Sequence, residues 1–259
     1  MARRIIDLAV CLEPDLPSDP PMMIPRIDYF DHQAGAVQMQ EFFPGLRPED
    51  LPGGLGWAVE SVSLGTHSGT HLDAPFHYHP TMDGGRPALT IDQVPLEWCL
   101  ADGVLLDFSD RPAGYGLSAA DVAAELERIG YKLKPMDIVL LRSGAAAAWG
   151  RPEYLVSGCG MSAEATNYIL DHGVKVVGTD GWSWDRPLPF QAADFARAKD
   201  ASLIWEAHFA GIQRGYCHME KLANLAAIPR PFGFTVACFP IKIKNASAGW
   251  CRPVAIVED

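Results

Sequence analysis

His67-Ser68-Gly69-Thr70-His71-Leu72-Asp73-Ala74-Pro75-Phe76-His77 is the stretch on which the reading of this chain turns. His67, His71, Asp73, His77 and, just beyond, His79 all occupy odd positions. On an extended chain, side chains two apart share a face, so all five are expected to project to one side until Gly69 or Pro75 bends the path. Helix is disfavoured here by Gly69, Thr70 and Pro75. An extended His71-x-Asp73 pair sets an imidazole and a carboxylate about 7 Å apart at Cα, from which both reach one cation. Imidazole and carboxylate without thiolate suit a catalytic Zn²⁺ or Mn²⁺ ion better than a structural zinc of the cysteine type. The bland alternative is a polar loop whose histidines cluster without function.

Outward from this stretch, strand-like and helical segments alternate. Trp57 to Leu64 alternates like a strand and leads into the histidine segment. Gly103–Phe108, Asp137–Arg142 and Val174–Gly178 read as buried strands. Between them lie a helix capped by Ser118 and ended by Gly130, and another from Ser162 to His172 closed by Gly173. Phe234–Phe239, Ile241–Lys244 and Pro253–Val257 are strand-like and complete a mixed sheet, while Ser202–Ala207 also reads as strand-like. Ile5 to Leu12 reads as a first strand running into a proline-rich loop, and the stretch from Met22 to Gly56 reads as one long loop with little helical or strand period. The expectation is one α/β domain over residues 1–259, a mixed β-sheet flanked by helices.

Bulk properties narrow the function classes. With 48% hydrophobic residues in 259, the chain can bury a sizeable core. Twenty-one Lys and Arg against 32 Asp and Glu, a formal charge of −11, argue against nucleic acid or an anionic membrane as partner and favour a small molecule. Six scattered cysteines without a CxxC pair read as free thiols in a reducing cytoplasm. The opening stretch is too broken by Asp7 and Glu13 for a signal peptide, and no segment approaches a membrane span.

The pattern His67-x-Gly-Thr-His71-x-Asp73-x-Pro75-x-His77 resembles the signature of the metal-dependent cyclase family, which includes bacterial kynurenine formamidase and isatin hydrolase. Ile5-Ile-Asp-Leu8 before a proline-rich loop, and Gly178-Thr-Asp-Gly-Trp182, extend the resemblance. It implies the swivelling β/β/α-like architecture of that family and one or two divalent metals per chain, Mn²⁺ or Zn²⁺. His67, His71 and Asp73 are the implied ligands of one ion, with Asp73 bridging to a second held by His208 and Glu220, twelve residues apart. The residue after Glu220 is Lys221 where the family pattern has Asn. Gln213 is an alternative ligand, on the pattern of isatin hydrolase-like members; Glu220 would then support a single-metal site.

The resemblance makes His77 the group that transfers protons, with His79 able to share or replace it; His77 as a further ligand stays open. The implied reaction is cleavage of an amide C–N bond by metal-activated water. The proline-rich loop lacks the Trp of the formamidases, so ring opening of an isatin-like cyclic amide is the leading reading, ahead of formamide hydrolysis or a polyketide-type cyclisation or dehydration. Trp182 and Trp184 are candidates to line an apolar substrate pocket, or are core filler. The family resemblance further implies a homodimer or higher homo-oligomer.

Overall fold

A computed structural model describes residues 3–258, so Met1 and Ala2 of the basic opening stretch, and Asp259, lie outside the described residues. One nine-stranded mixed sheet organises the chain. Its strands, numbered in chain order, are β1 (Arg3–Asp7), β2 (His71–Asp73), β3 (Leu100–Asp107), β4 (Ile138–Arg142), β5 (Val176–Thr179), β6 (Cys217–Glu220), β7 (Phe232–Ala237), β8 (Ala248–Trp250) and β9 (Val254–Glu258). They lie side by side in the order β1-β9-β7-β3-β4-β5-β6-β2-β8. The middle four, β3 to β6, run parallel, and antiparallel strands extend the sheet on both sides.

The parallel strands are buried on both faces, as near-continuous apolar runs require. Ile138 and Leu140 of β4 enter one core with Leu72, Met219 and Val236, whereas Val139 and Leu141 enter a second core under the helices. The helices are α1 (His32–Phe42), α2 (Pro75–Tyr78), α3 (Ala119–Ile129), α4 (Ala163–Asp171), α5 (Leu188–Ala198) and α6 (Glu206–Ala210). Helices α3 and α4 follow β3 and β4 as crossover connections, and their Val122, Leu126, Ile169 and Leu170 fill the second core. The expected caps are present: Ser118 Oγ accepts from Asp121 N, Ser162 Oγ accepts from Ala165 N, and Gly130 takes the left-handed conformation that ends α3.

Four local expectations need correction. The first strand stops at Asp7, because Ala9 N turns back to donate to the Asp7 carboxylate. The Met22–Gly56 stretch is an ordered arm, not a loop. Arg26–Phe30 pairs antiparallel with Val59–Ser63, and α1 between them is capped by Asp31, which accepts from Gln33 N and Ala34 N. Val59–Ser63 lies within the Trp57–Leu64 run read as a strand; its partner Arg26–Phe30 is almost wholly exposed and lacks the one-sided burial that produces a readable alternation. The Ser202–Ala207 run forms a 3₁₀ turn and then α6 rather than a strand, and Ile241–Lys244 lies outside the strands, the edge being built instead by Ala248–Trp250.

Helix α6 is held by the segment Ser183–Arg186, whose Asp185 accepts from Ala207 N and His208 N and whose backbone runs close against Gly160. A Cβ on Gly160 would come 2.3 Å from Arg186 N and from the carbonyl carbon of Asp185. Backbone cannot rotate away as a flexible side chain can. Gly160→Ala is therefore expected to destabilise the chain by about 1–3 kcal/mol in equilibrium urea unfolding; an unchanged midpoint would show that the segment gives way freely.

Candidate metal centre

Register puts the site together. Strand β2 is sandwiched between β6 and β8, with Asp73 directly opposite His218 and His71 opposite Glu220. Directly opposed residues on one sheet face have neighbouring side chains, so two carboxylates and two imidazoles meet on one side of the sheet. Leu72, Cys217 and Met219, of opposite parity, point into the apolar core beneath. The chain enters β2 through Gly69, whose φ of +61° is open to glycine at no steric cost and turns His67 back over the strand. It leaves through Ala74 into α2, where Pro75 occupies the first turn and swings His77 back toward Asp73.

The path therefore bends at Gly69 and at Pro75, the two positions at which the shared face was expected to end. His67, Asp73 and His77 still converge, their ligand atoms lying within 4.8 Å of one another, and those of Asp73, His208, His218 and Glu220 do the same. Asp73 belongs to both groups. His71 Nε2 lies 3.3 Å from Asp73 Oδ1 and 3.6 Å from Glu220 Oε2.

The donor set fits a divalent cation on hydrogen-bonding grounds. His71 Nδ1 is 2.9 Å from the Gly69 carbonyl, which can only accept, so the proton sits on Nδ1 and Nε2 turns a lone pair toward two carboxylates. His208 repeats the arrangement: Nδ1 donates to Asp185, and Nε2 faces Glu220 Oε1 at 3.7 Å. Lone pairs opposed to anionic oxygens in a water-poor interior repel unless a cation lies between them. His71 Nε2 and both oxygens of Asp73 are accordingly buried without a hydrogen-bond partner.

Charges around the cluster are coupled through burial. Desolvation alone raises the Asp73 and Glu220 carboxyls, but the surrounding imidazoles outweigh it; Asp73 stays well below the usual carboxylate range and Glu220 falls to about 2. Desolvation likewise depresses His218, yet the flanking Asp73 and Glu220 carry it up to about 9. His77 goes the other way, pushed down to about 4 by burial, with Asp73 opposing and His67 and His208 assisting. Its imidazole is neutral near pH 7. Its ring stands 4.1 Å from that of His67 and 5.0 Å from that of Trp205.

Other expected site residues lie elsewhere. His79 is turned out of the cluster, its Nδ1 held by Thr81 Oγ1 at 2.9 Å, because the helical turn at Pro75 breaks the two-residue period. Gln213 is exposed in the loop after α6, so it does not join the ligands. Trp184 is fully buried among the core side chains and donates from Nε1 to Thr166, which makes it core rather than pocket wall, although its backbone N–H donates to Glu220 Oε1. Trp182 does line a cavity of about 330 Å³ beside the cluster, with Met23, His77, Trp205 and His208. His218 and Asp185 were missed. The alternation Cys217-His218-Met219-Glu220 carried the signal for His218, since it shares parity with Glu220. Asp185 had no local signal; it is placed by the tertiary fold, where it also accepts from Ala207 N and His208 N.

The family model described as "Putative cyclase" matches residues 6–186. The chain belongs to the cyclase family. A cyclase-family relative, the kynurenine formamidase of Erythrobacter litoralis, is 26% identical over 197 residues, 76% of this chain and 76% of that protein. Isatin hydrolase A from Labrenzia aggregata, solved with benzyl benzoate, superposes with a TM-score of 0.75 at 23% identity, covering 99% of this chain and 94% of that one. A structure described as a potential metal-dependent hydrolase with cyclase activity covers 100% of both chains at a TM-score of 0.66 and 17% identity. The family match ends before His208, His218 and Glu220, so the second half of this cyclase-family site rests on the geometry above.

The geometry separates Gln213 from the ligands by experiment. Gln213→Ala is expected to retain the wild-type metal content by elemental analysis, whereas His218→Ala and Glu220→Gln lose at least about tenfold in metal affinity. Loss of metal in Gln213→Ala would reinstate the glutamine as a ligand.

Proposed function

We propose that this chain is a metal-dependent amide hydrolase that opens an isatin-like cyclic amide, with Mn²⁺ or Zn²⁺ held by His67, His71, Asp73, His208, His218 and Glu220. The observation that carries the reading is Asp73, a fully buried carboxylate shared by two imidazole groups, with His77 at the cavity edge. A bound divalent cation supplies acidified water and polarises a carbonyl oxygen. The protein's own groups do the rest.

Neutral His77 accepts a proton at its free imidazole nitrogen and returns it to the departing amide nitrogen. Asp185 fixes the tautomer and orientation of His208, and the Gly69 carbonyl does so for His71. A cavity of about 330 Å³ suits one small aromatic molecule, and the rings of Trp182 and Trp205 and the thioether of Met23 offer it apolar walls. Met23 comes from the proline-rich segment, in which no Trp is available to stack on a formylated aromatic amine; that favours the cyclic amide over the formamide.

We further propose that the chain acts as one unit in a reducing cytoplasm, in line with its six free cysteines, and as a homodimer or higher oligomer. Among the described residues no helix is long and apolar enough to cross a membrane. The arm exposes Tyr29, Val37, Phe42, Phe43 and Val62, and a lone two-stranded ribbon is marginal in water, so a second copy of the chain is its expected cover.

His77→Ala is expected to keep its metal and lose about 10²- to 10⁴-fold in kcat on isatin, followed by loss of the ring chromophore and release of a carboxylate. Loss of metal in that variant would make His77 a ligand. Turnover of N-formylkynurenine alone would shift the substrate to a linear formamide, and turnover without carboxylate release would point to cyclisation or dehydration.

A further inference from the structure

Lys221 directly follows the ligand Glu220 and is 1% exposed. Its backbone adopts φ +60°, a left-handed conformation that a lysine enters at a cost, and its N–H donates to Gly181 O at 3.0 Å. The turn sends the side chain back along the cavity, which it lines. The ammonium has three donors. One goes to Asp19, which also accepts from Trp182 Nε1 at 2.8 Å, and one goes to the His67 carbonyl at 2.8 Å. The third has no acceptor among the described residues.

Ser183 lines the same cavity, is 5% exposed, and its Oγ has no hydrogen-bond partner. An unpaired polar atom that deep is costly to retain unless something else bonds it. Neither Lys221 nor Ser183 belongs to the metal-ligand set, and both residues line the cavity beside it.

We propose that Lys221 and Ser183 form a second polar subsite, which takes a carboxylate or carbonyl oxygen of the substrate next to the bond presented to the metal centre. The preferred substrates are then amides that carry a neighbouring carbonyl or carboxylate, a class to which a cyclic α-keto amide and its ring-opened α-keto acid belong. The substrate class rests on the amide-hydrolase reading; the anion subsite itself does not. A lysine serving only as counterion to Asp19 would leave Ser183 unexplained.

The test is equilibrium binding to the metal-loaded protein, read by quenching of tryptophan fluorescence, with phenylglyoxylate as the probe that carries both oxygens and benzamide as the probe that lacks the second. Ser183→Ala and Lys221→Met are each expected to weaken phenylglyoxylate by about tenfold and benzamide by less than about twofold, at unchanged metal content. Wild-type affinity for phenylglyoxylate in both variants, or equal loss of both probes, overturns the proposal. Should Lys221→Met fail to fold, Ser183→Ala decides alone, since it removes only an unpaired oxygen. A wild-type protein that discriminates between the probes but hydrolyses no amide retires the amide-hydrolase reading and leaves the subsite standing.

Discussion

Two buried carboxylates held side by side on neighbouring strands are the constraint that the rest of this structure answers to. Asp73 and Glu220 are both removed from water, and bringing two such anions together is strongly unfavourable unless positive charge is supplied at the same place. The protein surrounds them with imidazoles, but His71 and His208 have their protons committed to the Gly69 carbonyl and to Asp185, which leaves lone pairs facing the anions. From within the chain, compensating charge comes from His218 and His67, both raised by the neighbouring carboxylates against the cost of their burial. The cluster is thus built with a deficit of positive charge that a divalent cation makes up.

The sheet exists in the form it does to hold that cluster rigidly. The four parallel strands are sealed on both faces by apolar side chains, so β6 has a fixed position, and β2 is pinned between β6 and β8 with no freedom of register. A slip of one residue would bury the imidazole and carboxylate side chains of β2 in the apolar core and bring Leu72 to the site. Local bends at Gly69 and Pro75 then do what a straight strand could not, bringing His67 and His77 to bear on the same carboxylate from either side.

Much of this was legible in the sequence, and the exceptions have physical causes. The helix ends at Ser118, Gly130 and Ser162 and the buried runs of β3 to β5 depend on local chemistry, and so could be read locally. The motif residues His67, His71, Asp73 and His77 meet as expected, along a path that bends at Gly69 and Pro75, the residues that mark the ends of the shared face in the sequence. That bend is also why His79 falls outside: the parity that would include it stops at Pro75. Of the arm, the strand within Trp57–Leu64 was readable, whereas its partner Arg26–Phe30 is almost wholly exposed and the Asp31 cap was the one local signal for the helix between them. Asp185 and the Lys221–Asp19 pair join residues 23 and 202 positions from their partners, a distance at which no local pattern operates. Trp184, for all its proximity in sequence to Trp182, packs into the core, where its Nε1 donates to Thr166 Oγ1; the bends of residues 181–184 carry no period from which that placement could be read.

The central claim is that this cluster needs a divalent cation to offset its charge, and the most direct test is to measure Zn and Mn per chain after reconstitution, alongside the thermal midpoint with and without chelator. The account predicts one or two equivalents of metal and a midpoint that falls on chelation, since a ligand bound only by the folded state at 100 times its Kd stabilises by about 2.7 kcal/mol. A chain that takes up no metal and melts identically with and without chelator would contradict it.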